Sequence, residues 1–225
     1  MFKPDLNALP APQRAVWEEL SATPKGFVLY GGTALALRLR HRQSEDFDFF
    51  SNQPFAPAAL RDSVGYLKHA EMIQFQSNTL TAILDRDGPV KVSFFGALSL
   101  NRVYDPDVIA ENQIQVASLL DVAATKLATI QQRAFAKDYV DIAAVIDAGI
   151  DLTTGLAAAK AIYGQEFNGA LSLKALAYFE DGDLKSLGVA IQNKLRAAAL
   201  GVNLRELPLM VGRPGITGKG SRGQN

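Results

Sequence analysis

The spacing of hydrophobic positions predicts short strands and helices in the first half of the chain. The run Phe27 to Tyr30 is apolar and is followed by two glycines, as expected of a buried strand that ends in a turn. The Ala- and Leu-rich segment Ala34 to Arg40 predicts a helix that Thr33 can cap. Phe47 to Phe50 predicts a second strand, and Ala58 to Lys68 predicts an amphipathic helix.

A hairpin is predicted next, and beyond it the hydrophobic period becomes helical. Thr79 to Leu84 and Val90 to Phe95 have strand character and flank Asp85 to Gly88, whose residues favour a tight turn. From Leu119 to Leu200 most segments have the helical period. The predicted organisation is an α/β domain (residues 1–115), a helical domain (116–210) and a Gly-rich, basic, disordered tail (211–225).

The composition leaves carboxylates as the most available side chains for catalysis and metal binding. The 225 residues include 23 basic and 23 acidic side chains, so a surface that is basic throughout is not expected. The absence of cysteine excludes disulfides and thiolate metal sites, and two histidines are too few for a histidine-rich zinc site. No signal peptide or apolar span of about 20 residues is evident. The expectation is a cytoplasmic protein with no membrane partner.

A Gly-Gly-Thr turn joins the first predicted strand to its helix. Glycines allow a ligand to approach the backbone, and a helix N-terminus presents N–H groups and partial positive charge to a phosphate. The alternative is a tight connection with a Thr cap and no ligand. Taken by itself, the turn favours this simpler interpretation.

Asp46 and Asp48 alternate with two phenylalanines in the second predicted strand. Because side chains alternate across a strand, burial of Phe47 and Phe49 directs both acids to the opposite face. Facing carboxylates repel each other, and a divalent cation relieves that repulsion. The alternative is a solvated acidic face. Together with the glycine turn, however, the pair predicts a nucleoside triphosphate site with Mg²⁺.

Three blocks of sequence in this region carry motifs. Gly31 to Leu37 contains the glycine turn and helix, Arg42 to Phe50 contains Arg-x-Ser and Asp-x-Asp, and Lys126 to Asp141 contains a helical Lys, a later Arg and Lys-Asp-x-x-Asp. The blocks resemble the AbiEii/AbiGii-type toxin family of the DNA polymerase β-like nucleotidyltransferase superfamily. The resemblance covers most of Gly26 to Ala148 and is faint outside these blocks.

The resemblance implies a fold and a set of site residues. The fold is α+β, with an N-terminal nucleotidyltransferase-like mixed sheet and helices, followed by a helical C-terminal region. Nucleotide binding is implied for Gly31, Gly32, Thr33, Ser44, Lys126 and Arg133. Metal binding is implied for Asp46 and Asp48, and catalytic roles are implied for Asp46, Asp48, Lys126 and Asp138. The structural alternative for Lys126, Arg133, Asp138 and Asp141 is a salt-bridged helix pair that holds the two lobes together.

One position departs from the family pattern. Active members of the superfamily often carry a third carboxylate on a later strand, and the strand expected to carry it is Val90 to Phe95. Its cleft-facing residues are predicted to be Lys91 and Ser93, neither of which is acidic. Either Asp138 substitutes for the missing acid, or the chain binds nucleotide and transfers it poorly.

The resemblance implies the toxin of a toxin–antitoxin pair. Such an enzyme moves a nucleotide from a nucleoside triphosphate to an RNA, with tRNA as one acceptor, or to a protein, and has an antitoxin protein as partner. Arg38, Arg40, His41 and Arg42 form a basic cluster beside the predicted site, which a solvated helix end also explains. Two other functions stay open: a nucleotide-binding module that regulates a partner, and a nucleotidyltransferase that acts on small molecules.

Overall fold

The computed structural model describes residues 2–218. Within that range the α-helices are α1 (Ala11–Val16), α2 (Gly31–Leu39), α3 (Pro57–Ser63), α4 (Leu119–Thr129), α5 (Ala136–Asp147), α6 (Leu152–Tyr163), α7 (Gly169–Ala177) and α8 (Val189–Leu200). The β-strands are β1 (Val28–Tyr30), β2 (Asp46–Phe50), β3 (Glu71–Gln76), β4 (Thr79–Asp85), β5 (Pro89–Phe95), β6 (Asn101–Arg102), β7 (Asp107–Val108), β8 (Gln115–Val116) and β9 (Arg213–Pro214).

The principal sheet is mixed. Its strand order is β3-β4-β5-β2-β1-β8-β7, and β6 pairs separately with β9. Strand β2 lies at its centre, antiparallel to β1 and parallel to β5. This sheet and the helices that follow it in the chain confirm the predicted α+β fold class.

The register of β2 follows from its alternating sequence. Phe47 and Phe49 are fully buried, and Phe49 stacks on Phe94 of β5 with ring centroids 5.3 Å apart. Asp46 and Asp48 are only partly buried on the opposite face. Sliding the strand by one residue would bury both acids and expose both rings, so the apolar face fixes the register.

The local structure differs from the sequence predictions in three places. Helix α2 begins at Gly31, so Thr33 lies inside its first turn and does not cap it. Helix α3 ends at Ser63 because Val64 is extended, and only a short 3₁₀ turn follows. Strand β3 was not predicted, since this edge strand is largely exposed and its polar side chains conceal the strand pattern.

Contacts divide the chain into two compact units. Among the described residues, one unit comprises 2–100, 105–118 and 215–218, and the other comprises 101–104 and 119–214. The first contains the principal sheet with α1 to α3. The second contains α4 to α8 and an apolar core whose members include Leu127, Tyr139 and Leu195.

The segment predicted to be a tail is described as far as residue 218. Arg213 and Pro214 form β9, and Ile216 is buried. The Ile216 N–H donates to the side-chain oxygen of Asn52 at 2.6 Å. The remainder of the predicted tail, residues 219–225, lies outside the described residues.

No single helix within residues 2–218 is both long enough and apolar enough to cross a membrane. One helix pair, Ala136–Asp147 with Leu152–Glu166, has the length and composition of a span only when its two members, which are bent by 116°, are taken together.

Candidate active site

The glycine turn lies directly against the acidic strand. Gly31 has a φ of 72°, and a Cβ atom placed on it would lie 2.9 Å from Oδ2 of Asp48. A Cβ on Gly32 would overlap the Arg42 guanidinium and lie 3.2 Å from the Ser44 hydroxyl. Any larger residue would therefore displace a polar group from the N-terminus of α2. The turn and Asp48 form one continuous surface.

Thr33 and Ser44 connect this turn to the acidic strand. Both side chains are buried, and their hydroxyl oxygens lie 2.9 Å apart. The Thr33 hydroxyl also donates to the main-chain carbonyl of Asp46. These contacts fix the first turn of α2 against the start of β2. Nucleotide binding by Thr33 and Ser44 stays a prediction, and the geometry gives them a positioning role.

The two acids share their face with a lysine. Parallel pairing places Lys91 of β5 beside Asp46 and Ser93 beside Asp48, as predicted for the cleft-facing residues of this strand. Lys91 Nζ lies 3.4 Å from Asp46 Oδ2, and these side chains are 43% and 34% exposed. Ser93 is buried and accepts a 3.4 Å hydrogen bond from Thr81. A third acid is absent from these β5 positions.

The donor set fits Mg²⁺ when substrate supplies further ligands. Among residues 2–218 no cluster of three or more His, Cys, Asp or Glu side chains is arranged to hold a metal. Mg²⁺ bound at a phosphate-transfer site, however, usually takes one or two protein carboxylates and fills its remaining positions with water and phosphate oxygens. Asp46 and Asp48 on one strand face, beside a helix N-terminus, match that requirement.

Substitution of Gly31 is expected to damage this surface. Gly31→Ala forces a left-handed backbone on a residue with a side chain and pushes against Asp48, at a cost of about 1–2 kcal/mol in unfolding free energy. We expect triphosphate binding, measured by calorimetry, to fall below detection. Gly65→Ala is the matched control because a Cβ there meets no atom within 4 Å. Equal binding by both variants would contradict the close approach at Gly31.

An ion network joins four residues of the third motif block, Lys126, Arg133, Asp138 and Asp141, and all of them except the partly exposed Arg133 are buried. Lys126 Nζ lies 2.7 Å from Asp138 Oδ1 and 2.6 Å from Asp141 Oδ2, and both carboxylates are fully buried. Arg133 Nε donates to Asp138 Oδ2 at 2.8 Å. All four lie in the helical unit, where they join α4 to α5. The geometry favours a salt-bridged helix pair within the helical unit. That this pair holds the two lobes together stays a prediction, as do the catalytic and nucleotide-binding roles.

The charge of Asp138 contributes to stability above acidic pH. Burial raises the pKa of Asp138, but the hydrogen bond from Arg133 and the charge of Lys126 outweigh burial and hold the pKa below its ordinary 3.8. A lowered native pKa gives stability that is present above the ordinary value and is lost as the pH falls through the native one.

The unfolding free energy of the wild type should therefore fall toward that of Asp138→Asn in strong acid. Urea unfolding at about pH 7 and about pH 2.5 measures this convergence. A gap between wild type and variant that is independent of pH would contradict it.

The arginines of the basic cluster at the C-terminal end of α2 have different contacts. Arg38 is mostly buried and donates to Asp107 and to the Ala117 carbonyl, both at 2.7 Å, so it connects α2 to β7 and to the end of β8. Arg40 ends α2 in the left-handed conformation and lies 3.5 Å from Asp5. Of the three arginines, Arg42 is the one at the glycine turn.

Sequence reasoning missed two features of this surface. The sequence identifies Lys91 only as a residue that is not an acid, because its pairing with Asp46 depends on the β2–β5 register. Arg42 belongs to the predicted basic cluster, and its packing on Gly32 depends on the return of the chain after α2. The Arg-x-Ser pattern is the one sequence signal for this position of Arg42.

Comparison with known proteins identifies a family and a relative. Residues 15–206 match the family described as nucleotidyl transferase AbiEii toxin, type IV toxin–antitoxin system. An uncharacterised protein of Aquifex aeolicus is 32% identical over 158 residues, which is 69% of this chain and 74% of that protein.

Two solved structures share the fold at low sequence identity. MenT4, a nucleotidyltransferase toxin of Mycobacterium tuberculosis, has a TM-score of 0.56 and 15% identity over 86% of this chain and 83% of its own. A protein of H. pylori described as a nucleotidyltransferase has a TM-score of 0.54 and 18% identity over 87% and 92%.

Proposed function

This chain belongs to the AbiEii nucleotidyl transferase toxin family, and we propose that it transfers a nucleotide from a nucleoside triphosphate to a hydroxyl of an RNA, such as tRNA, or of a protein. The observation that carries the proposal is the close approach of the Asp48 carboxylate to Gly31, where an added Cβ would lie 2.9 Å from Oδ2. It brings a carboxylate and a helix N-terminus to one surface, and these are the groups that a metal-bound triphosphate requires.

Each part of this surface has a chemical task in the proposal. N–H groups of the first turn of α2 donate to phosphate oxygens, and the glycines keep that approach open. Asp46 and Asp48 would hold Mg²⁺, which would supply positive charge to the phosphates and make the attacking hydroxyl easier to deprotonate. Thr33 and Ser44 keep the acids aligned with the turn. Arg42, which packs on Gly32, adds positive charge beside the bound anion.

Family membership also suggests how the enzyme acts in the cell. We propose a cytoplasmic enzyme that is restrained by an antitoxin protein, as family membership suggests. Growth of a bacterial host should stop when the wild type is expressed and continue with Asp46→Asn at equal protein level. Growth arrest by both proteins would show that toxicity does not depend on nucleotidyl transfer.

A second candidate is a nucleotide-binding module that regulates a partner. It is favoured by one observation, the presence of Lys91 and Ser93 where an acid is expected. Such a module would bind triphosphate at the same surface without transferring it. Both candidates therefore predict triphosphate binding, and only the enzyme predicts nucleotide transfer.

Label transfer distinguishes these candidates. The pure chain is incubated with each α-phosphate-labelled nucleoside triphosphate, Mg²⁺ and total RNA. The proposal predicts label in RNA or in protein, lost with Asp46→Asn and with a chelator. Triphosphate binding without any transferred label would support the regulatory module. Absence of both would refute the proposed site.

A further inference from the structure

Lys91 occupies the place beside Asp46 on the strand face that carries both acids. Strand β5 presents Lys91 and Ser93 in register with Asp46 and Asp48. The Lys91 ammonium lies 3.4 Å from the Asp46 carboxylate, with both side chains partly open to solvent. A lysine at this distance is part of the acidic surface.

The charge balance of this face limits how many metal ions it can hold. Asp46, Asp48 and Lys91 give two negative charges and one positive charge. Two adjacent divalent ions repel each other strongly and need several carboxylates to compensate. Two carboxylates beside an ammonium compensate one divalent ion, and triphosphate oxygens complete its coordination.

We propose that Lys91 is the internal cation of this site. It pairs with Asp46 when no metal is bound, and it contacts the triphosphate when one divalent ion takes Asp46. The site therefore holds one divalent ion, with Lys91 supplying the positive charge that a second ion would bring. This inference rests on the proposed function of Asp46 and Asp48.

Partial exposure makes this exchange of partners feasible. Solvent-exposed ion pairs are weak, so a divalent ion can displace the ammonium from Asp46 at modest cost. The lysine side chain is long and flexible, which lets its ammonium move from the carboxylate to a neighbouring phosphate oxygen. Ser93 cannot take this role because it has no charge and is buried.

Metal binding tests the inference without an activity measurement. Mn²⁺ binding to the full chain is measured by electron paramagnetic resonance, alone and with inorganic tripolyphosphate, which removes any base preference. We expect one Mn²⁺ per wild-type chain. Lys91→Met should tighten Mn²⁺ binding about threefold to tenfold without tripolyphosphate and weaken tripolyphosphate binding at saturating Mn²⁺. Lys91→Asp should take up a second Mn²⁺.

Controls separate this inference from the proposed function. Lys68→Met removes an exposed lysine that precedes the edge strand β3 and should match the wild type. Thermal unfolding verifies that each variant is folded. If Asp46→Asn loses Mn²⁺ while Lys91→Met matches the wild type, or if the wild type holds two ions, the Lys91 inference is overturned and the proposed site stands. Equal Mn²⁺ binding by Asp46→Asn and wild type overturns both.

Discussion

Replacing Asp46 with Asn should reduce nucleotidyl transfer by about a thousandfold or more and leave the fold intact. The amide has the size of the carboxylate but no charge, so it holds a divalent ion poorly. Asp46 is 34% exposed and its ion pair with Lys91 is open to solvent, so the unfolding free energy should change by less than about 1 kcal/mol. Label transfer and urea unfolding measure the two quantities.

The matched control for this prediction is Asp62→Asn. Asp62 lies on α3, its side chain is 66% exposed, and its ion pair is with Arg61 on the same helix. Removing its charge should change neither transfer nor stability measurably. Wild-type transfer by Asp46→Asn would refute the assignment of the carboxylate pair. A large loss of stability would show that Asp46 is needed by the fold.

Lys126→Met should destabilise the helical unit by about 3–5 kcal/mol. The substitution keeps much of the side-chain volume but leaves the carboxylates of Asp138 and Asp141, both fully buried, without the ammonium between them. An uncompensated buried charge is far more costly than a lost surface ion pair. Urea unfolding should show the change. Lys137→Met, an exposed position on α5, should change stability by less than about 0.5 kcal/mol.

A combined variant distinguishes structure from catalysis at this network. Lys126→Met with Asp138→Asn and Asp141→Asn removes the buried charges together, so it should recover much of the lost stability. A folded triple variant that transfers nucleotide would assign the network to the fold. A folded triple variant without transfer would support the catalytic roles that the family resemblance implies for Lys126 and Asp138.

The sequence was sufficient to predict the features that depend on the local pattern of residues. Alternation of Phe and Asp predicted β2 and the shared face of Asp46 and Asp48, because period-2 burial leaves one choice of register. The turn at Asp85 to Gly88 predicted the β4–β5 hairpin, which pairs throughout. The motif blocks predicted the AbiEii family, which the match over residues 15–206 confirms.

Features that depend on pairing between distant strands could not be predicted. Lys91 and Asp46 are neighbours only because β5 runs parallel to β2 in one register. The contact of Arg38 with Asp107 likewise depends on β7, a strand that is distant in sequence from α2 and joins the same sheet. Helical spacing did suggest that Lys126 and Arg133 share a face. It gave no information on the burial of Asp138, which depends on how α4 and α5 pack.

A crystal structure with Mn²⁺ and a non-hydrolysable nucleoside triphosphate tests the central claim most directly. Anomalous scattering identifies the metal without reference to any activity. We expect a Mn²⁺ ion bonded to the Asp46 and Asp48 carboxylates, with the triphosphate on the N–H groups that follow Gly31. Metal and triphosphate bound elsewhere, with both carboxylates in contact only with water and Lys91, would contradict it.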